Sequence, residues 1–358
     1  MATLQASPSE VTASNLRGQK LPNWAPWAIG LGSIVISGLI FGLTGDSFNK
    51  ARFAVLAALL FVVILTATSF AVEGRRQAVD RLFTTFVYSA FVLAVAPLFS
   101  IIYYTLSQGI GVIDGGFLSR SMFTISEDSF GGGAYHAIMG TLIVTAIAAV
   151  FAVPIGVLTA VYLVEYGDGK RFAKAVSFFV DVMTGIPSIV AGLFIFTFWL
   201  LTLGFQKSGF AGALSLVILM LPVIVRSTEE ILRLVPHELR EASYALGVPK
   251  WKTITKIVLP TAFSGIVTGV MLAIARAMGE TAPLLLLVGV QAKISFDPFN
   301  GPMSTLPTFI YSQLGSAAGN PDAPGTARAW GAAVTLIAII MIFNLLARFV
   351  GRFTRARG

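Results

Sequence analysis

Two opposite charges lie inside one of the long apolar runs of this chain. The stretch IARAMGETAPLLLLVG, residues 274–289, places Arg276 and Glu280 four residues apart. At the centre of a membrane helix such a charge costs about 2.5–3.5 kcal/mol, and intramembrane charges are by default functional candidates. The spacing puts both side chains on one helical face, where they can pair. The pair could belong to a passage for something charged: a guanidinium offers paired donors to an oxyanion, Glu280 could limit its grip, and Thr281 offers a hydroxyl. The alternative is a pair that only braces helix packing.

Composition decides whether these charges are at membrane depth. Of the 358 residues, 56% are hydrophobic and 12% charged, and the mean hydropathy is +0.82. A soluble domain carries about 25% charged residues, so the bilayer must solvate much of this chain. The sequence contains no cysteine, which excludes disulfide frameworks, thiol catalysis and cysteine-ligated metals.

Apolar stretches of about 20 residues, the length that spans a bilayer, recur along the sequence. They predict an all-α, polytopic membrane helix bundle of about eight transmembrane helices. The first 20 residues have no apolar signal-peptide core, so we expect the first span to remain as an anchor. The eight predicted spans are residues 24–43, 53–72, 82–107, 137–164, 177–203, 210–228, 262–290 and 330–351.

The basic residues orient these spans. With both termini in the cytoplasm, most of the 25 lysines and arginines fall on the cytoplasmic side, as insertion favours. The net charge of +8 therefore needs no nucleic-acid partner, and the lipid bilayer is the predicted surrounding.

The character of the spans changes along the chain. Up to residue 72 they are plain apolar anchors, whereas from about residue 137 they are rich in Gly, Pro, Ser and Thr, which is typical of a closely packed, moving bundle. The outside loops 108–135 and 291–328 could meet an external partner, or could simply be solvated. The predicted segments are a cytoplasmic tail (1–23), two extra membrane helices with a connector (24–81), a third helix with an external loop (82–135), the main membrane domain (136–351) and a basic cytoplasmic tail (352–358).

The loop between spans six and seven does not look like a linker. Residues 226–260, RSTEEILRLVPHELREASYALGVPKWKTITKIVLP, are mixed in charge and predict two short helices. Pro236 suits a first helical turn, Gly247 can take the left-handed conformation that ends a helix, and Pro249 can start the next one. A structured cytoplasmic loop with a small-residue patch beside Glu241 predicts a docking element.

At this point the sequence resembles a known family. Glu241, Ala242, Ser243, Gly247 and the closing Leu259-Pro260 resemble the EAA loop of ABC-importer permeases, with Ser243 where a second alanine is usual. The stretches 140–166, 185–194 and 275–289 are similar to phosphate-importer permeases of the PstA type, and the resemblance covers residues 136–351.

The resemblance implies a set of partners and a division of labour. The chain would be a bacterial plasma-membrane permease that pairs with a sister permease (PstC type) and receives inorganic phosphate from an external binding protein (PstS type). ATPase subunits (PstB type) would dock on the EAA-like loop, and Arg276 would meet phosphate in transit. The sequence has no G-x-x-x-x-G-K-[ST] run, so ATP, Mg²⁺ and hydrolysis are expected on the partner, and this chain is expected to be no enzyme and to bind no cofactor or metal. The two N-terminal helices lie outside the family's six-span pattern.

Three other functions compete with this one. A permease for another oxyanion, such as molybdate or sulfate, is the nearest. An ion-coupled secondary transporter would use Arg276 and Glu280 as a relay, but it leaves the loop unexplained. An intramembrane enzyme is weakest, because His136 and His237 fall on opposite sides of the predicted membrane. Asp181 is predicted to be an interfacial cap.

Overall fold

The structure, a computed structural model, describes residues 20–44, 49–126 and 129–355. Over these ranges the regular elements are all helices. Residues 1–19 of the predicted N-terminal tail and residues 356–358 of the predicted basic tail lie outside the described residues. The chain divides into two compact units, residues 1–101 and 102–358.

The first unit is built from helices α1 (Ala25–Thr44) and α2 (Lys50–Glu73) and the first part of α3 (Arg75–Gly109). Glu73, almost fully buried, holds it together: its carboxylate accepts hydrogen bonds from the Leu21 backbone N–H at 2.8 Å, from Ser69 Oγ at 2.7 Å and from Arg81 Nε at 2.6 Å. Only Gly74, with φ +88°, separates α2 from α3. The predicted connector after span two is therefore almost entirely helical.

The second unit contains the end of α3 and eleven further helices within the described residues. The helices are α4 (Gly115–Ser119), α5 (Tyr135–Val161), α6 (Arg171–Thr184), α7 (Ser188–Ile195), α8 (Gly209–Arg233), α9 (His237–Ala245), α10 (Lys250–Thr253), α11 (Leu259–Met278), α12 (Ala282–Leu287), α13 (Leu306–Ser316) and α14 (Pro324–Arg355). Three of them continue as π-helical turns: α5 through Tyr162–Tyr166, α7 through Phe196–Thr202 and α10 through Ile254–Val258.

The core of this unit lies where α5 crosses α8. Small residues of α5, such as Ala148 and Ala152, face Leu216 and Met220 of α8, and all four are buried. A Cβ at Gly156 would stand 2.7 Å from Ile224 Cγ2. Because lipid supplies no hydrophobic drive between helices, close approach at small residues is what stabilises such a crossing.

The count of spans agrees with the sequence, but two predicted spans are broken. Seven described helices are long and apolar enough to cross a membrane, and an eighth span results if α6 and α7, bent by 107°, count as one. About eight spans is thus confirmed, and the span predicted at 177–203 is not one continuous helix, since the chain bends between α6 and α7. The predicted span 262–290 is also wrong as a single helix, because α11 ends at Met278 and α12 restarts at Ala282.

The two predicted outside loops carry structure of their own. Loop 108–135 contains α4, and loop 291–328 contains α13 and the start of α14. Thr141 Oγ1 on α5 accepts a hydrogen bond from the Leu306 backbone N–H at 2.7 Å. The buried Arg328 donates to Gln313 Oε1 at 2.6 Å. These segments are packed caps on one end of the unit.

Candidate functional site

Helix α9 and its flanking turns form one end of the second unit, called here the α9 end. Gly247, with φ +73°, follows the helix, as the sequence predicted. Pro236, predicted in the first helical turn, lies immediately before it. Pro249 immediately precedes α10, which runs without a break through the π-helical turn into α11. The second predicted short helix is therefore the first part of a membrane helix, and Pro260 lies in the first turn of α11.

Ser243, which stands where the EAA pattern usually has a second alanine, makes a hydrogen bond that an alanine could not make. Its hydroxyl lies 2.8 Å from Thr253 Oγ1 on α10, and both residues are buried. A buried hydroxyl without a partner is costly, so Ser243 and Thr253 satisfy each other. The bond ties α9 to the helix that continues as α11.

Other side chains of α9 and of the turn that follows it are exposed. They include Glu241, Ala242, Tyr244 and Leu246, and Leu246 is 83% exposed. An acidic residue, a small residue and two large side chains at this end form a surface suited to a groove on another protein.

Arg240, which the sequence analysis did not single out, is the most connected residue of α9. Its Nη2 and Nε donate to Glu165 Oε1 at 2.8 and 3.1 Å, and its Nη1 donates to the Val235 carbonyl at 2.7 Å. Nη2 also reaches the Leu232 carbonyl at 3.0 Å. The pair spans 75 positions of sequence, so nothing local in the sequence points to it.

Arg276, Glu280 and Thr281 lie together at the junction of α11 and α12. Arg276 is in the last turn of α11, whereas Glu280 and Thr281 lie in the break before α12. The predicted pair on one continuous helical face is wrong in that respect, because the helix has ended. Arg276 Nε lies 4.0 Å from Glu280 Oε1, and the Arg276 side chain is 66% exposed. The guanidinium is thus only loosely held and presents most of its donors outward.

The two groups of predicted site residues are joined by α11. Sixteen residues separate Pro260 from Arg276, which is about 24 Å at 1.5 Å per residue. The loop residues lie at the α9 end and the charged pair lies toward the middle of the unit. One continuous helix therefore connects the candidate docking surface to the candidate anion contact.

Asp181, predicted to be an interfacial cap, pairs with an arginine of α8. Arg226 of α8 donates to Asp181 Oδ1, to the Ser177 carbonyl at 3.0 Å and to Glu229 Oε2. Arg226, assigned to a cytoplasmic loop by the sequence analysis, is inside α8. The network ties the bent helix α6 to α8.

The two histidines are far apart, as the sequence predicted. His136 is buried in the first turn of α5, whereas His237 starts α9, which contacts the other end of α5 through Arg240. Over the described residues, no group of three or more His, Cys, Asp and Glu side chains is placed to hold a metal ion.

An aromatic pocket lies at the end opposite to α9. Trp199 stacks on Phe205 at 4.3 Å between ring centroids, and Phe210 lies 5.0 Å from Phe299. In the turn beside Phe299, hydrogen bonds from the Asn300 side chain and the Phe299 N–H lower the pKa of Asp297. The turn is therefore fully formed when Asp297 is ionised, and acid would loosen it as the pH falls through that lowered pKa.

Comparison with known proteins places this arrangement in context. The family described as "Binding-protein-dependent transport system inner membrane component" matches residues 152–356. The chain is 51% identical over 284 residues to "Phosphate transport system permease protein PstA 1" of Mycobacterium tuberculosis (strain CDC 1551 / Oshkosh), covering 79% of this chain and 91% of that protein. It is 51% identical over 275 residues to PstA of Mycobacterium leprae (strain TN), covering 76% and 89%.

A solved structure of a bacterial alginate ABC transporter, in complex with an alginate-bound periplasmic protein, has a similar fold. Its TM-score is 0.53 with 17% identity, over 77% of this chain and 96% of that chain. At this identity the likeness concerns the fold alone.

The fold defines a multi-pass, all-helical protein of the inner membrane. The chain belongs to the family of binding-protein-dependent transport system inner membrane components. The resemblance to PstA-type permeases, drawn from the loop and the ARAMGETAP stretch, is confirmed.

Proposed function

We propose that this chain is a permease subunit of an ATP-driven phosphate importer. The observation that carries the proposal is 51% identity to a phosphate permease over 91% of that protein's length. Molybdate, sulfate and ion-coupled transport lack this support. The proposal includes a sister permease of the PstC type, an ATPase of the PstB type that holds ATP and Mg²⁺, and an external binding protein of the PstS type.

The proposal assigns a direction to the molecule. The α9 end faces the cytoplasm, with both termini on that side, and the aromatic pocket faces outside. This orientation agrees with the excess of lysine and arginine at the α9 end. Residues 136–351 form the permease domain, preceded by two extra anchors (24–81) and by the third helix with its external loop (82–135).

The anion contact is assigned to Arg276. Its guanidinium is two-thirds exposed and only 4.0 Å from the one carboxylate that moderates it, so it can offer parallel N–H donors to phosphate oxygens. Glu280 weakens the binding of phosphate to Arg276 enough for phosphate to be released, and Thr281 adds a hydroxyl beside Glu280.

Uptake of radiolabelled phosphate by the reconstituted complex tests this assignment. Arg276→Gln removes the charge but keeps similar length. A hydrogen bond to a charged group contributes about 1.5–3 kcal/mol, so uptake should fall about 10- to 150-fold. Arg276→Lys, which keeps the charge, is the matched control and should retain more uptake. Near-normal uptake by an assembled Arg276→Gln complex contradicts the assignment.

The docking surface is tested separately by co-purification of the ATPase. Glu241→Lys reverses one charge on the exposed face of α9 and should release the ATPase while the permeases stay paired. Glu230→Lys makes the same reversal on an exposed position of α8 and should leave the ATPase bound. Equal ATPase recovery with both variants contradicts docking on α9.

A further inference from the structure

Helix α9 is bonded to the membrane helices through two buried residues, Arg240 and Ser243. Ser243 joins it to α10 and hence α11 through Thr253. Arg240 joins it to the end of α5 through Glu165 and to the end of α8 through the Leu232 carbonyl, and it also binds the Val235 carbonyl in the turn between α8 and α9. The two attachments are three residues apart, so they emerge from one side of the helix.

The Arg240 attachment is buried and makes several bonds. The side chains of Arg240 and Glu165 are 10% and 5% exposed, and both guanidinium contacts with the carboxylate go to a single oxygen, Oε1. Nη2 also reaches the Leu232 carbonyl in the last turn of α8, and Nη1 reaches the Val235 carbonyl in the turn between α8 and α9. A lysine has no planar fork and could not bridge these acceptors at once.

Both attachments adjoin π-helical turns of the membrane helices. Glu165 lies within the turn Tyr162–Tyr166, and Thr253 immediately precedes the turn Ile254–Val258. Lys250 Nζ lies 5.1 Å from the Tyr166 ring centroid, which brings α10 to the same place. Single π-helical turns often occur at functional sites, and here they mark where α9 meets the helices it would move.

We propose that Arg240 and Glu165 are positioning residues that transmit displacement of α9 to α5 and α8 during transport. The proposal rests on the function proposed above. Stability alone does not explain the pair, because a buried ion pair can often be replaced by apolar residues without loss of stability. The planar guanidinium of Arg240 adds a fixed connection between α9 and the ends of α5 and α8. When the ATPase moves α9, Arg240 carries α5 and α8 with it, while Ser243 carries α11.

The test separates assembly, ATP hydrolysis and uptake in proteoliposomes containing the full complex. The double variant Glu165→Leu/Arg240→Met removes both charges and leaves no unpaired ion, and Glu165→Gln keeps the shape but loses the charge. Both should retain the ATPase, since the exposed face of α9 is intact. Phosphate taken up per ATP hydrolysed should fall about 5- to 150-fold, the range of a typical coupling between sites. Arg233→Met removes an exposed guanidinium that pairs with Glu229, which keeps its second partner Arg226, and serves as the control with unchanged coupling.

Two results overturn the proposal. One is an assembled variant whose uptake per ATP equals that of the parent. The other is a loss of uptake that, in both variants, is fully explained by loss of the ATPase from the complex. In that case the ion pair would serve only the structure of the complex. Failure of the proposed function would appear already in the parent complex, which would hydrolyse ATP without taking up phosphate. Failure of the present proposal appears only in the variants.

Discussion

The hydrogen bond between Ser243 and Thr253 gives a prediction whose size follows from its geometry. Ser243→Ala leaves Thr253 Oγ1 without its partner at a residue that is fully buried. An unsatisfied buried hydroxyl costs about 1–3 kcal/mol, and the cost should weaken the attachment of α9 to α10. Ser243→Ala/Thr253→Val removes both hydroxyls with nearly unchanged shape, so its cost should be close to zero.

Hydrogen–deuterium exchange of the α9 backbone, measured on the chain in lipid nanodiscs, reads this attachment directly. In Ser243→Ala the α9 amides should exchange about 5- to 150-fold faster, which is the same 1–3 kcal/mol expressed as a rate ratio. The double variant should exchange at the parent rate, and the amides around Val144 in the core should change in neither. Parent-like exchange in Ser243→Ala, or equally fast exchange in both variants, refutes the reasoning.

Two further predictions concern packing and the first unit. Gly156→Ala places a Cβ 2.7 Å from Ile224 Cγ2 and should lower the stability of the protein by about 1–3 kcal/mol through overpacking. Thermal inactivation in detergent should therefore be faster, and adding Ile224→Ala to the same chain should restore part of the lost stability. Gly315→Ala, which has open space, is its control, and equal inactivation of both contradicts the close crossing of α5 and α8. Glu73→Leu removes the hydrogen bond that the Leu21 N–H donates to Glu73. A hydrogen bond to a charged group contributes about 1.5–3 kcal/mol, so without it trypsin should cut after Lys20 about tenfold faster or more. Thr68→Val, which loses only bonds within α2, should be cut at the parent rate.

Features fixed by local chemistry could be predicted from the sequence. Pro236, Gly247 and Pro249 act within a few residues of themselves, so the boundaries of α9 and the start of α10 followed from their backbone preferences. Apolar length gave the number of spans for the same reason, because bilayer thickness sets helix length.

Features that depend on distant partners could not be predicted in this way. The apolar run continues through the break between α11 and α12, so hydropathy alone joined them and placed Glu280 on a helix that has already ended. Asp181 was read as a cap because its partner Arg226 is 45 positions away. The contact of Arg240 with Glu165 is likewise a product of tertiary packing, and only the fold reveals it.

The order in which these partners are synthesised has a consequence for biogenesis. Glu165 precedes Arg240 by 75 residues, which at 5–20 residues per second is a delay of about 4–15 s. During that time the carboxylate at the end of α5 has no guanidinium to neutralise it, and a bare charge resists burial. The end of α5 must therefore wait in a hydrated position until α8 has been inserted and α9 has left the ribosome. Closure of this end of the protein is thereby a late event of assembly, timed by translation of the loop that follows α8.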